Sequence, residues 1–254
     1  MTVLALSSLK GGVGKTSTAV NLALLAAYCD GPALLWDLDA QGAAGFYLSP
    51  TASLRRKPAR LLRGRVGVAG QVAKTPYPGL DLVPSRLALR HLERLLDRRG
   101  TKRHGIGAAL RGVRRSYPWV VLDCPPSAGR LLEQVMTVAD LLLVPVVPTP
   151  LAIRAYEELV VLAAKTGADR ERIRPFFSMV EQRKRLHRDA MAELQRRDAR
   201  FWHAAIPYRA EIERMGLTRK PIVAQRAASP AQAAYRALWE ELRSWLAAAR
   251  GGAP

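Results

Sequence analysis

Short apolar runs alternate along this chain with longer stretches whose apolar residues recur at helical spacing. Val3-Leu4-Ala5-Leu6 makes residues 3–7 a buried strand, and residues 16–28 follow as a helix with Ala19, Leu22, Ala23 and Ala26 on one side. Ala33-Leu34-Leu35-Trp36 is a second buried strand, and the small-residue stretch 41–45 beyond it reads as a loop that lets a ligand approach closely. Further strands are expected at 80–83, 119–122, 141–147, 176–180 and 204–207, and helices at 86–99, 104–115, 153–165, 186–197 and 230–249. Apolar strands separated by helix-length segments indicate parallel crossovers. The expected fold is therefore α/β, a doubly wound and mostly parallel sheet flanked by helices, with ligands at the C-terminal strand ends. No repeat or linker-like tract divides the 254 residues, so one domain over 1–254 is expected.

Composition narrows the class. A hydrophobic fraction of 49% with 24% charged residues is that of a globular protein. The longest apolar stretches, 19–29 and 141–153, are too short or too interrupted by proline to cross a bilayer, and no signal peptide precedes the first strand. Cys29 and Cys124 have no metal-like spacing, which argues against a disulfide framework and for a reducing cytosol. The balance of 40 Lys+Arg against 21 Asp+Glu gives +19, unevenly distributed. Residues 51–115 hold 17 basic and 3 acidic side chains and residues 161–254 hold 19 and 10, whereas 1–50 and 116–160 are slightly acidic. Arginine-rich composition by itself gives a solvated surface; the shortage of acids between 51 and 115 points instead to a polyanion, DNA ahead of an anionic membrane.

The chemistry starts directly after the first strand, at Lys10-Gly11-Gly12-Val13-Gly14-Lys15-Thr16-Ser17. A glycine-rich turn between strand and helix aims successive backbone N–H groups and the positive helix end at one point, which suits a phosphate chain. Lys15 would reach the β/γ-phosphates of ATP and the Thr16 hydroxyl would hold Mg²⁺. A Gly/Lys-rich turn alone would be a solvated loop; here the whole octamer sits between strand and helix. The first glycine of the ordinary motif would fall at Leu9, and a second lysine, Lys10, stands inside the loop. Trp119 to Asp123 is an apolar strand closed by a carboxylate that can hold Mg²⁺ opposite Thr16, and Cys124-Pro125-Pro126-Ser127 follows. Asp37 and Asp39, two residues apart on an extended strand end, share a face; either alone reads equally as a turn or capping aspartate.

These motifs together resemble the ParA/MinD family of dimerising ATPases, closest to the small Soj-like ParA partition proteins, with a deviant P-loop of the SIMIBI type of P-loop NTPase. The resemblance implies that Lys10 reaches the nucleotide of a partner subunit, so that the ATP-bound homodimer is the working state. It implies that Asp39, in Asp37-Leu38-Asp39-Ala40-Gln41-Gly42, positions the attacking water and the metal shell, with Ala40 where proline is common, and that residues 123–127 form a γ-phosphate-sensitive switch. Residues 143–149, ending Pro148-Thr149, look like the strand leading to the adenine pocket. Phe177 to Glu181 departs from the Asn-containing strand end of many relatives. Catalysis is thereby expected from Lys10, Lys15 and Asp39, with slow hydrolysis stimulated by a ParB-like or other adaptor.

The resemblance also places non-specific double-stranded DNA binding on the C-terminal basic residues, here Arg183, Lys184, Arg185, Arg188, Arg209, Arg214, Arg219 and Lys220, and the protein on the nucleoid in the cytoplasm. Block 51–115 is a second candidate surface. An N-terminal DNA-reading domain is not expected, since the P-loop begins the chain. A MinD-like membrane-positioning ATPase is the alternative, because Tyr235, Leu238, Trp239, Leu242, Trp245 and Leu246 form a stripe flanked by Arg236 and Arg243 that would suit a membrane interface or the core. A metal-cluster ATPase of the same superfamily would need cysteines in a bridging arrangement.

Overall fold

The computed structural model describes residues 1–49, 51, 62, 67–85 and 105–251. The predicted helix at 86–99 and most of the basic block 51–115 lie outside the described residues. Eight strands form one sheet: β1 (Thr2–Leu6), β2 (Ala33–Asp37), β3 (Ala73–Lys74), β4 (Leu80–Val83), β5 (Trp119–Asp123), β6 (Leu141–Val146), β7 (Ile173–Val180) and β8 (Ala205–Pro207). Their order is β3-β4-β2-β5-β1-β6-β7-β8, and every pairing except β3–β4 is parallel. From β1 the chain builds β2, β3 and β4 on one side, returns through β5 beside β1, and continues to β6, β7 and β8 on the other, so the sheet changes winding direction beside β1, where a doubly wound fold opens its binding crevice.

Strand alternation divides the apolar side chains between two faces. Leu4, Leu6, Leu35, Val121, Leu143 and Phe176 pack under α1 (Lys15–Cys29), α2 (Ala43–Leu48) and the closing helix. Val3, Ala5, Trp36, Leu122, Val144 and Phe177 pack under α3 (Ile106–Leu110), α4 (Arg130–Val138), α5 (Pro150–Thr166) and α6 (Arg185–Arg197) on the other side. Both faces are covered, which is why the strands read as continuous apolar runs. Three more helices complete the described chain: α7 (Ala210–Glu213), α8 (Met215–Thr218) and α9 (Pro230–Gly251).

The structure departs from the expected elements at identifiable places. Residues 41–45 were expected to be a loop; α2 begins within them because the Asp37 carboxylate accepts the Ala44 and Gly45 N–H groups at 3.1 and 3.3 Å. A helix start needs such acceptors, and this one comes from the preceding strand. Helix α5 begins at Pro150 rather than Ile153, since proline lacks only an N–H that the first turn leaves unused. Helix α4, whose Leu131, Leu132, Val135 and Met136 are buried, was not foreseen behind Pro125 and Pro126. The stripe offered for membrane insertion is core: Tyr235, Leu238, Trp239, Leu242 and Leu246 are buried against α1 and the sheet, and Trp239 lies 4.9 Å from Trp119 between ring centroids. Among the described residues no helix is long and apolar enough to cross a membrane.

Candidate functional site

The phosphate loop leaves the sheet at the C-terminal end of β1, between β5 and β6, and turns into α1 at Lys15. Gly12 (φ +71°) and Gly14 (φ +86°) take left-handed conformations that L side chains rarely adopt. At Gly14 space is short as well: a Cβ would lie 2.9 Å from Ser178 Oγ, at the end of β7. The first N–H groups of α1 have no acceptor within the helix and Gly14 brings no side-chain cap, so the turn is left with donors to spend on an anion. Lys15 is only 7% exposed, and its Nζ donates to the Lys10 carbonyl at 3.3 Å. Burial lowers its pKa, opposed by the carboxylates of Asp123 and Asp39. Lys10 is half-buried on the loop and does not line the cavity of its own chain.

Three carboxylates stand beside this loop in different roles. Asp37 ends β2 in register with Asp123, which ends β5. Asp37 is spent on backbone, its oxygens accepting the N–H groups of Asp39, Ala44 and Gly45. Burial first, then the Asp123 carboxylate, push its pKa well above the ordinary range. Asp39 lines the cavity and accepts the Gln41 N–H at 2.9 Å. Asp123 is fully buried, and neither of its oxygens meets a hydrogen-bond donor of ordinary geometry. Burial raises its pKa to about 7 and Asp39 adds to this, while the Thr16 hydroxyl and Lys15 ammonium pull it down.

A buried carboxylate without donors suits a cation, because only a charge or a proton offsets its desolvation. No group of three or more His, Cys, Asp or Glu that could hold a metal occurs among the described residues. Thr16, Asp39 and the unpartnered Asp123 offer the one or two protein oxygens that Mg²⁺ takes while phosphate and water fill the rest of its octahedron.

The loop opens on a cavity of about 460 Å³ lined by residues 11–17, Asp39, Gln41, Ala43, Tyr47 and Pro126 on one side. Ser178, Met179, residues 206–209, Ile212, Glu213 and Tyr235 complete it. The volume is that of a small-molecule site. Pro148, the residue chosen for the base, is buried at the end of β6 and is not part of the lining; Met179 of β7, Pro207 of β8 and Tyr208 after it are in the lining. Met179 has φ +54°, a strained value for a non-glycine residue, which turns the chain at the cavity edge. Tyr235 contributes a fully buried phenol whose oxygen has no hydrogen-bond partner; burial raises its pKa to about 12 against the pull of the nearby Ser17 and Thr18 hydroxyls. Ser178, Tyr208 and Tyr235 come to the loop only through tertiary folding, and no local motif announces them.

The basic residues picked from the sequence follow β7 and β8, so the topology brings both groups to the strand-end rim that carries the phosphate loop. Arg183 and Arg209 line one open groove there. Several of these cations are already engaged: Lys184 with Glu181 at 2.5 Å, Arg185 with Asp189 at 3.3 Å, and Arg188 with the carbonyls of Gln182 and Arg183. Arg214 and Lys220 are exposed. Arg219 is held over the Phe46 ring, its guanidinium carbon 4.7 Å from the centroid.

Comparison with known proteins agrees with this geometry. The AAA domain family matches residues 1–171. The chromosome partitioning protein ParA of Caulobacter vibrioides is 38% identical over 146 residues, 56% of this chain and 55% of that protein; the chain thus spans about half the length of this curated relative. Cobyrinic acid a,c-diamide synthase from Mycobacterium smegmatis, solved with a bound ATP analogue and magnesium, superposes with a TM-score of 0.77 at 25% identity, over 96% of this chain and 95% of that one. A putative plasmid partition protein from Borrelia burgdorferi, bound to AMPPNP, gives a TM-score of 0.77 at 19% identity, over 96% and 98% of the two chains, a likeness of fold alone.

Proposed function

The chain belongs to the ParA/MinD family of P-loop ATPases, and from that premise we propose that it is an ATP-driven partition or positioning switch. ATP assembles a homodimer, the dimer binds double-stranded DNA without sequence preference, and an adaptor of the ParB kind stimulates hydrolysis and release. The observation that carries this reading is Lys10: it stands on the phosphate loop, yet its side chain is not in the lining of its own cavity.

The steps follow from the residues. Backbone N–H groups of residues 11–16 bind the phosphate chain, and Lys15 exchanges its 3.3 Å bond to the Lys10 carbonyl for the β/γ-phosphates. Thr16, Asp39 and Asp123 would hold Mg²⁺, which when bound neutralises charge between those phosphates. Asp39, facing the cavity, orients the attacking water. Lys10 of a second subunit places a further positive charge on the transferred group, as an arginine finger does, so hydrolysis depends on dimerisation. Turnover is slow for want of a free base: Glu213 lines the cavity, but it accepts the Tyr208 hydroxyl at 2.7 Å. Phosphate contacts from arginines on the strand-end rim give DNA affinity with little sequence preference, and hence association with the nucleoid.

Lys10→Ala tests the reading directly. The variant is expected to keep measurable ATP binding and to sediment as a monomer with ATP. If it sediments as an ordinary ATP-dependent dimer, the role given to Lys10 is wrong.

A further inference from the structure

We infer that the stack of Arg219 on Phe46 is the joint through which the nucleotide cavity sets the state of the basic segment 209–220. This rests on the polyanion reading of that segment for its consequence, though not for its mechanics.

One end of the joint is α2. It hangs from Asp37, beside the donor-less Asp123, through the Ala44 and Gly45 N–H groups. Gln41, Ala43 and Tyr47 of the same stretch line the cavity, whereas Phe46 is absent from the lining and 43% exposed. Helix α2 thus touches the nucleotide site with one side and presents Phe46 on another. A ligand that displaces Tyr47, whose ring centroid lies 6.1 Å from that of Phe46, moves Phe46 with it.

The other end is α8 and the turn after it. Its inner side is fixed to the phosphate-loop helix: Asn21 donates to the Met215 sulfur at 3.5 Å, accepts the Val223 N–H at 3.1 Å and donates to the Ser17 carbonyl at 2.7 Å. Arg219 closes α8 with its N–H on the Met215 carbonyl at 2.8 Å and takes φ +52°. Glycine or asparagine is the ordinary residue at such a left-handed helix end. An arginine accepts the strain there when its side chain gains something in return, and the gain visible is the Phe46 ring 4.7 Å away.

The stack holds the exposed Arg219 guanidinium in one orientation on α2. Nucleotide binding shifts α2, opens the stack and frees that cation to turn towards a polyanion on the rim. Arg219 is accordingly a positioning residue whose availability is controlled, which differs from the permanently presented DNA contact expected from the sequence.

The test is hydrogen–deuterium exchange of residues 210–223 with and without Mg·ATP, beside duplex DNA binding, in wild type, Phe46→Leu and Phe46→Tyr. In wild type, Mg·ATP should raise exchange across this segment. Phe46→Leu should show the raised exchange without nucleotide and no further response, with ATP affinity unchanged, and Phe46→Tyr should restore the response. DNA binding without nucleotide should rise about two- to fivefold in Phe46→Leu, the factor that one exposed cation–π contact supplies. Arg219→Gly, which tolerates φ +52° and so folds, should behave in exchange as Phe46→Leu does. An equal nucleotide response of the segment in wild type and Phe46→Leu overturns the joint, whatever DNA binding does. A wild type whose segment responds but which binds no DNA in any nucleotide state overturns the polyanion reading and leaves the joint supported.

Discussion

Gly14 is a position in the phosphate loop where a single methyl group should do damage, and the structure allows the damage to be divided. Gly14→Ala faces two separate penalties. The first is conformational: φ +86° lies in the left-handed region, which costs an L residue about 1–2 kcal/mol. The second is steric: the new Cβ would sit 2.9 Å from Ser178 Oγ, whereas Ser17 Oγ at 3.5 Å is an ordinary contact. Ser178 is buried at the end of β7, so relief means forcing its hydroxyl off its rotamer, at about 0.5–1.5 kcal/mol. Together these predict a loss of about 2–3 kcal/mol in urea denaturation without nucleotide. The double variant Gly14→Ala/Ser178→Ala should regain the steric part, about 1 kcal/mol, and none of the conformational part, so the cycle is non-additive. Binding of a fluorescent ATP analogue should fall in both variants, because both tilt the N–H donors at the start of α1. A Gly14→Ala protein within about 0.5 kcal/mol of wild type, or a cycle without recovery, would refute the reasoning.

Two further outcomes are expected. Asp123→Asn removes a buried carboxylate that has no donor, so the nucleotide-free protein should be as stable as wild type or more so; the stabilisation by Mg·ATP, about 2.7 kcal/mol at a hundred times Kd, should vanish, and a thermal shift that persists with Mg·ATP counts against the metal assignment. At the far edge of the sheet, Asp198 is partly buried, which alone would raise its pKa, but Arg200 at 2.7 and 2.8 Å and the Tyr156 hydroxyl at 2.6 Å hold it down at about 2. A carboxylate so held binds fewer protons folded than unfolded between about pH 4 and 2, so its stabilisation is complete above that window and lost as pH falls through it. Asp198→Asn should therefore lie about 1 kcal/mol below wild type at pH 7, a figure discounted for solvent screening, and converge with it near pH 2; a constant gap would contradict the assignment.

The strands and the phosphate loop were legible because their signals are local: apolar runs of fixed length, and an octamer whose glycines and lysines sit between strand and helix. What escaped depended on contacts distant in sequence. Helix α2 looked like a loop because its first turn is satisfied by Asp37, on the strand before it, and nothing in 41–45 advertises that acceptor. The same contact gives Asp37 a backbone-capping part of its own, whereas Asp39, the residue singled out through the family resemblance, lines the cavity. Pro148 comes from the family resemblance alone; it is absent from the cavity lining, to which Met179 and Tyr208 contribute. The aromatic stripe of α9 read as core ahead of a membrane face, and Trp119 beneath it agrees. Arg219 is one basic residue among eight in the sequence, and only the fold sets it over Phe46.

The central claim, an ATP-gated grip on DNA, is tested most directly by binding to random-sequence duplex DNA with ATP, with ADP and without nucleotide, across a salt series. Tight binding is expected only with ATP, with log K falling against log salt at a slope of about −5, as five to six neutralised phosphates would give. Binding indifferent to nucleotide, or insensitive to salt, would contradict it.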